Sequence, residues 1–225
     1  MAGTIIADFI RADANKFSIN VGNTIVASVN SLGILSNTGT VLIDSSGQIT
    51  ANNISLGRIV TPSVMPANSV LQVVTTTKTD TFTMSGTTWT TVTGLTASIT
   101  PTKSTSKILV LVNIYMGHGY YSSAGRLMRD STPIGIGDTA GSRPRSTFAI
   151  NGYCGNTTYE SYNMWNASVV YLDSPSTINS TTYSIQLMNY STGYTVGVNR
   201  TASWQDTANY DYAPISTITL MEIAQ

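Results

Sequence analysis

Apolar and polar residues alternate in short runs along most of this sequence, and no stretch of ten residues keeps the period of a helix. Runs of this kind that are bounded by Gly, Pro, Asn, Asp or Ser predict β-strands. Many short strands without helices predict an all-β fold, an antiparallel sandwich of the jelly-roll type. About twelve such runs follow residue 69, at residues 70–77, 81–84, 89–93, 95–100, 107–115, 126–129, 134–137, 146–150, 164–172, 183–190, 194–198 and 215–223.

Two of these runs predict different positions within the sheets. Residues 107–115, KILVLVNIY, are apolar on both faces, which predicts a central strand that faces a second sheet or a neighbouring subunit. In residues 183–190, apolar side chains at odd positions alternate with Ser184 and Gln186, which predicts a strand with one face toward solvent.

The N-terminal part of the chain contains a repeat. The run NTIVASVNSLGIL, from residue 23, is followed 14 residues later by NTGTVLIDSSGQI. Each copy combines a β-prone run with an Asn/Asp-Ser-x-Gly turn. Repeats this small cannot bury their own faces, so we expect the segment to complete its core with other chains or with the rest of this one. Before it we expect a short strand, a turn and a strand at residues 17–21, with a helix over residues 6–14 as the alternative.

A boundary follows the repeats. Residues 61–69, TPSVMPANS, hold two prolines, which favours an extended connector over a helix or a central strand. We therefore predict an N-terminal β-repeat segment over residues 1–60, a connector over 61–69 and a β-sandwich head over 70–225. All twelve tyrosines and all three tryptophans lie beyond residue 80.

Charge is scarce in this chain. Charged residues make up 10% of the sequence, against about 25% in an average protein, and Thr, Ser, Asn and Gly replace them. Charges are also depleted where subunits meet. Eleven basic residues balance eleven acidic ones, so nucleic-acid binding has no electrostatic basis. A local cluster of arginines is predicted to form a solvated or inter-subunit face with Asp130 and Asp138; its members are Arg126, Arg129, Arg143 and Arg145.

The sequence offers no signal for export, membrane insertion or a disulfide. The N-terminus lacks a basic region followed by an apolar one, and no run approaches 18 apolar residues. Cys154 is the single cysteine, so an intrachain disulfide has no second partner. We expect synthesis in a host cytoplasm.

No motif in the sequence predicts catalysis, a metal or a cofactor. His118 is the single histidine and is predicted to lie in a loop without a catalytic role. Together, His118 and Cys154 are too few for a zinc site. The run GIGDTAG, from residue 135, lacks the spacing and the Lys-Ser/Thr ending of a nucleotide loop, which favours a turn. Glu160 and Glu222 are the only glutamates, so glycoside hydrolysis is the least favoured activity.

The predicted loops of the head are rich in aromatic residues, interleaved with Asn, Ser, Asp and Gly. Such rings suit recognition of a carbohydrate or a protein surface, and they also occur where subunits meet. The sequence is compatible with both roles, ligand recognition and packing between subunits. The candidates for ligand binding are Tyr120, Tyr121, Tyr153, Tyr159, Tyr162, Trp204, Tyr210 and Tyr212.

Several stretches resemble fibre-type virion proteins of tailed bacteriophages, particularly those of cyanobacteria and marine bacteria. They are the opening MAGTI-x-x-D-x-I, the repeats of residues 23–57, the connector MPANSVLQVV, and the runs SKILVLVNIYMG and RLMRDSTPIGIGD. The resemblance implies a homotrimer located in the virion, with an N-terminal stalk and a jelly-roll head.

Three functions follow from this resemblance, none of which requires a cofactor. The first is a short tail fibre that binds other virion proteins through residues 1–60 and a host polysaccharide or protein through its head. The second is a capsid decoration or head-fibre protein, and the third, least favoured, is a glycan-degrading tailspike. Candidates for assembly contacts are Ile5, Ile6, Phe9, Ile10, Val29, Leu32, Val41, Ile43 and Ile49.

Overall fold

Each regular element in the described part of the chain is a β-strand. The computed structural model describes residues 17–21, 24–30, 33–36, 41–44, 65–118, 121–151, 162–204 and 211–225. The chain divides into two units, Met1–Ile59 and Val60–Gln225, which are considered separately below. The alternative helix over residues 6–14 lies outside the described residues, as do Cys154 and the assembly candidates Ile5, Ile6, Phe9, Ile10, Leu32 and Ile49.

The first unit contains a four-stranded antiparallel sheet in the order β1-β2-β3-β4. Its cross-strand register aligns Val29 with Phe17 and with Ile34, and Ile34 in turn with Ile43. Two assembly candidates, Val29 from the first repeat copy and Ile43 from the second, therefore belong to a single row of apolar residues across the sheet. The third, Val41, lies at the start of the last strand. The strands are β1 (Phe17–Val21), β2 (Thr24–Asn30), β3 (Gly33–Ser36) and β4 (Val41–Asp44).

The second unit, called the head below, consists of two antiparallel sheets around one core. The six-stranded sheet has the order β5-β15-β8-β14-β6, with β12 on the other edge of β8. The five-stranded sheet has the order β10-β9-β13-β7, with β11 also paired to β9. The strands are β5 (Val70–Lys78), β6 (Phe82–Ser85), β7 (Thr90–Ile99), β8 (Lys107–His118), β9 (Ser122–Arg129), β10 (Thr132–Ile134), β11 (Phe148–Asn151), β12 (Trp165–Asp173), β13 (Thr181–Asn189), β14 (Thr195–Val198) and β15 (Ser216–Ile223).

Alternating residues of both sheets build the core. On β8, the even-numbered residues from Ile108 to Met116 are almost completely buried, and on β13 Ile185 and Leu187 meet them from the other sheet. β8 pairs with β12 on one edge and with β15 and β14 on the other, so it is the central strand. The predicted all-β, antiparallel double sheet is confirmed, and so is the central position of this run.

The outer face of the six-stranded sheet carries an apolar patch. Leu109 is half-buried and aligns with Met221 on one neighbouring strand and with Leu172 on the other. Leu111, in the next outward row, aligns with Val170, which is exposed. The second sheet therefore covers only one face of β8 in this chain. The apolar outer patch consists of Val73, Leu109, Leu111, Val170, Leu172 and Met221.

Two predicted strand boundaries were wrong, both at glycines with positive φ. Residues 89–93 and 95–100 form one strand, β7, because Gly94 at φ +81° is accommodated by a register shift against β13 instead of ending the strand. The run predicted at 134–137 ends at Ile134, because Gly135 at φ +58° leads the chain away from the sheet. His118 is the last residue of β8 and is buried, so its predicted loop position was also wrong.

A buried carboxylate anchors one end of the sandwich. Glu222 points inward from β15, where Gln72 Nε2 donates to its Oε2 at 2.6 Å. The backbone N–H and the hydroxyl of Thr102 both donate to Oε1 at 2.7 Å. Burial by itself would raise the pKa of Glu222, but the polar groups of Ser106, Gln72 and Thr102 outweigh it and lower the pKa from its ordinary value. The charged form therefore holds the segment after β7 against β15.

A second buried cluster joins the two sheets. The hydroxyl of Tyr183, on β13, donates to Asp173 Oδ2 at 2.7 Å at the end of β12. Arg129 Nη1 donates to both oxygens of Asp173, at 3.0 and 3.1 Å. Burial and the neighbouring carboxylate raise the pKa of Tyr183 far above its usual range, so its proton stays on the hydroxyl.

Candidate functional site

The aromatic candidates do not form one site. Of the eight, Tyr120, Tyr153, Tyr159 and Tyr210 lie outside the described residues. Tyr162 is half-buried and Tyr212 is exposed. The ring of Trp204 lies under the guanidinium of Arg200, at 4.6 Å, so a cation of the chain itself occupies one face of that ring.

Tyr121 forms a ring pair with a residue that the sequence did not mark as a candidate. It directly precedes β9, and Tyr190 directly follows β13, the antiparallel neighbour of β9. The N–H of Tyr190 donates to the carbonyl of Ser122 at 3.1 Å, which brings the two strand ends together. The ring centroids are 5.1 Å apart at 68°, an edge-to-face geometry, and the residues are 38% and 52% exposed.

Asn189, the last residue of β13, holds Tyr190 in place. Its side chain is completely buried, and its Oδ1 accepts from the N–H of Tyr190 at 2.8 Å and from the hydroxyl of Ser123 at 3.3 Å. Its Nδ2 donates to the carbonyl of Tyr194 at 2.8 Å. Because both ends of this amide are bonded, the turn that carries Tyr190 has a defined position.

A groove of about 440 Å³ lies beside Tyr190 on the outer face of the five-stranded sheet. Small side chains form its floor, because Ala124 on β9 aligns with Ala149 on β11. The ring of Phe148 lies directly over Gly125 on the opposite face, where a larger residue would push β11 away from β9. The lining residues are Ser122, Ala124, Arg143, Pro144, Ser146, Ala149, Met188, Asn189 and Tyr190.

The segment between β10 and β11 forms the second wall of the groove. Its backbone is held by a hydrogen bond from the N–H of Gly137 to the carbonyl of Ser146, at 3.2 Å. Arg145 Nε donates to the carbonyl of Gly137 at 2.6 Å, and Arg143 Nε donates to the carbonyl of Ala140 at 3.2 Å. The predicted turn at GIGDTAG lies in this segment, and it adopts no helix.

The four arginines have partners other than the predicted ones. Arg129 binds Asp173, whereas Asp130 accepts from the backbone N–H of Thr182. Arg126 donates twice to Gln186, at 2.7 and 2.9 Å, and its guanidinium lies 4.4 Å from the ring centre of Trp89. Among the described residues, the predicted pairing with Asp130 and Asp138 was therefore wrong, although Arg143, Arg145 and Asp138 line one hollow. Spacing along the chain could not reveal these partners, because they come from other strands.

Several other kinds of site have no support in the described residues. In that part of the chain, no group of three His, Cys, Asp or Glu side chains could hold a metal ion. The described ranges also contain no helix that is long and apolar enough to cross a membrane. The ring of His118 lies 6.1 Å from that of Trp165.

Comparisons with protein-family models and with curated proteins found no match. Among solved structures, this chain is similar to a chain in the 2.6 Å structure of infectious bursal virus derived T=1 particles, with 14% sequence identity and a TM-score of 0.36. The match covers 96% of this chain and 49% of the other, so this chain spans about half the length of the matched protein. A likeness of this degree carries no argument about function.

Proposed function

We propose that this chain is a non-enzymatic structural protein of a tailed-phage virion, and that it acts as a short trimeric tail fibre. Residues 1–60 attach it to other virion proteins, and the head contacts the host surface. The sequence resemblance supports the class of protein. The observation that carries the recognition role is the exposed Tyr121–Tyr190 pair beside an open groove on the head. Exposed rings next to hydroxyl groups suit the faces and edges of sugars.

The apolar outer patch supports self-association, with a second copy of the same chain as its occupant. Its six residues have uncharged side chains, so pairing two copies would desolvate no ionic group. Apolar patches of roughly 300–600 Å² on a monomer are often functional. Because the patch lies on the six-stranded sheet and the groove on the other, subunit packing and ligand binding need not compete.

Sedimentation equilibrium of the full chain, together with adsorption of the labelled protein to host cells, tests this proposal. We expect a mass three times that of the monomer and saturable adsorption. We also expect phage particles that lack the protein to assemble but to adsorb poorly. A monomer at micromolar concentration, or normal infection by particles that lack the protein, would contradict the tail-fibre function.

The row of apolar residues in the first unit offers a test of assembly. Changing Val29 and Ile43 together to Asp places two charges in the row that includes Ile34, and we expect the trimer to dissociate at lower temperature. The double change of Ser28 and Leu35 to Asp is the matched control, because these aligned residues lie in the neighbouring row. Equal heat resistance of the first variant and the unmodified protein would assign the repeats no role in assembly.

A capsid decoration protein is the second candidate. The apolar outer patch favours it, because the same uncharged surface could pack on a shell of other subunits. The two functions differ in copy number, since a shell binds a decoration protein at many equivalent positions whereas tail fibres are few. Quantitative mass spectrometry of purified virions distinguishes hundreds of copies from a few tens.

A further inference from the structure

The groove beside Tyr190 is lined by a positively charged residue, Arg143. Among the described residues that line it, Arg143 is the only charged one, and the other polar side chains are those of Ser122, Ser146, Asn189 and Tyr190. Asp138 lines an adjoining hollow of about 280 Å³ that Arg143 also lines, but among the described residues no ion pair joins the two side chains. Among the described lining residues, Arg143 is therefore a cation without a countercharge in the wall of the groove.

Within the described residues, the terminal nitrogens of the Arg143 guanidinium are available to a ligand. Its Nε is bonded to the carbonyl of Ala140, and within the described residues neither terminal nitrogen donates to a protein acceptor. Two terminal N–H groups in one plane match the two oxygens of a carboxylate, which is the geometry of bidentate Arg–carboxylate pairs. The bond to Ala140 also restricts the side chain, so less freedom is lost when a ligand binds.

The rest of the lining suits a flat, hydroxylated ring. Tyr190 and Met188 supply an apolar wall, and the floor of Ala124 and Ala149 leaves room at the sheet surface. Within the described residues, the hydroxyls of Ser122 and Ser146 donate no hydrogen bond. They can therefore donate to the hydroxyl groups of a sugar ring. A volume of about 440 Å³ falls in the range of small-ligand pockets.

We propose that this groove binds a carboxylated sugar unit of a surface polysaccharide, with Arg143 paired to the carboxylate and Tyr190 against the sugar ring. This inference rests on the proposed host-contact function and adds the class of its ligand. Asn189 acts as a positioning residue, because its side chain is completely buried and bonded to the N–H of Tyr190 and the carbonyl of Tyr194. A carboxylated unit is favoured over a neutral one, because a bidentate, charge-assisted pair with Arg143 is stronger than hydrogen bonds from Arg143 to uncharged hydroxyls.

The binding test uses the full chain and three probes: oligogalacturonate, its methyl ester, and dextran sulfate. We expect saturable binding of oligogalacturonate by calorimetry, and at least a tenfold weaker binding of the ester, in which the carboxylate is blocked. Arg143→Gln should cause a similar loss for oligogalacturonate and leave the ester unaffected. Raising the salt concentration should weaken binding of the free acid only.

Matched control variants show whether a loss of binding comes from the groove itself or from any loss of positive charge or of an exposed aromatic ring. Arg145→Gln removes the same charge from the same segment but lies outside the groove lining, so it should retain binding. Tyr190→Ala should weaken binding by about tenfold, in line with the loss of ring stacking. Tyr190→Phe keeps the ring and should bind as the unmodified protein does, as should Tyr212→Ala, which removes an exposed ring elsewhere.

Three results would overturn the inference: no binding of oligogalacturonate, equal binding of its ester, or equal losses in Arg143→Gln and Arg145→Gln. Dextran sulfate bound as tightly, with the same dependence on Arg143, would overturn the choice of a carboxylate. Adsorption of the same variants to host cells is measured in parallel. Normal adsorption by Arg143→Gln would refute the groove while leaving the tail-fibre function intact, whereas no adsorption by the unmodified protein would refute that function itself.

Discussion

The two sheets of the head share one core but have different outer faces. On the six-stranded sheet, leucine, valine and methionine side chains form an apolar patch among threonines. The outer face of the five-stranded sheet is more polar. There the guanidinium of Arg126 lies over the ring of Trp89 and donates to Gln186, and the same face holds the groove beside Tyr190. The inner faces of both sheets are apolar, but their outer faces differ. The outer face of the six-stranded sheet suits subunit packing, and that of the five-stranded sheet suits ligand recognition.

The largest expected effect compares two neighbours on β8 that point in opposite directions. Ile108→Ala leaves a cavity in the shared core and should lower the free energy of unfolding by about 3–4 kcal/mol. Leu109→Ala removes a half-buried side chain from the outer patch and should cost about 1 kcal/mol or less in an isolated subunit. Urea unfolding measures both.

A charged substitution at Leu109 tests whether the apolar outer patch contacts another subunit. Under the proposed packing of this patch on a second copy of the chain, Leu109→Asp should lower the mass measured by sedimentation, because it places a charge among apolar side chains. Thr93→Asp is the matched control, because it places the same charge at an exposed position on β7, in the other sheet. If Leu109→Asp stays fully associated, the six-stranded sheet does not face another subunit.

The next effect concerns the acid stability that Glu222 supplies. Its folded pKa is below the value of 4.5 for a free carboxyl, so its contribution is present above about pH 4.5 and is lost as the pH falls through the folded pKa. Glu222→Gln should destabilise the head by about 1–3 kcal/mol at neutral pH, because charge-assisted hydrogen bonds from Gln72 and Thr102 are lost.

Thermal unfolding at several pH values checks this prediction. The difference between Glu222→Gln and the unmodified protein should shrink as the pH falls below about 4.5. Asp138→Asn is the matched control, since it makes the same acid-to-amide change at an exposed position. A constant difference from neutral pH to pH 3 would show that the charge of Glu222 is not what stabilises this end of the sandwich.

The smallest effect lies on the outer face of the five-stranded sheet. The contact between Arg126 and Trp89 is partly exposed, so a double-mutant cycle with alanine at both positions should give a coupling of about 0.5–1 kcal/mol. The coupling between Arg126 and Tyr212, an exposed ring with no contact to it, should be zero within error. A coupling above about 2 kcal/mol would mean that this face is more buried in the assembled protein than in one chain.

Much of the architecture was predictable, because strand formation follows a local period of two residues. The run KILVLVNIY predicted a central strand, and its inward residues form the middle of the core. The glycine boundaries were less predictable. Gly94 continues a strand through a bulge whereas Gly135 leaves the sheet, and that difference depends on the neighbouring strand opposite each glycine.

The candidate site was only partly predictable. Tyr121 was among the candidates because it lies in an aromatic loop, but Tyr190 was assigned to the end of a strand. Its signal was present in the turn residues that follow it, Ser191 to Gly193. Arg143 was placed in a cluster with three other arginines, since proximity in sequence was the only available measure. Its position in the groove depends on the segment that folds back over β9 and β11.

The sequence by itself determined which faces of the strands are apolar, since burial follows from the chemistry of each side chain and the alternation of the pleat. It also determined the absence of a net charge, and hence that electrostatic binding must be local. Only the tertiary structure decided that Arg143 lines a groove whose described lining residues include no acid, and which polar groups meet: Tyr183 with Asp173, and Glu222 with Gln72 and Thr102. These partners lie on different strands, and their encounter depends on cross-strand register and on how two sheets pack, which no local pattern encodes.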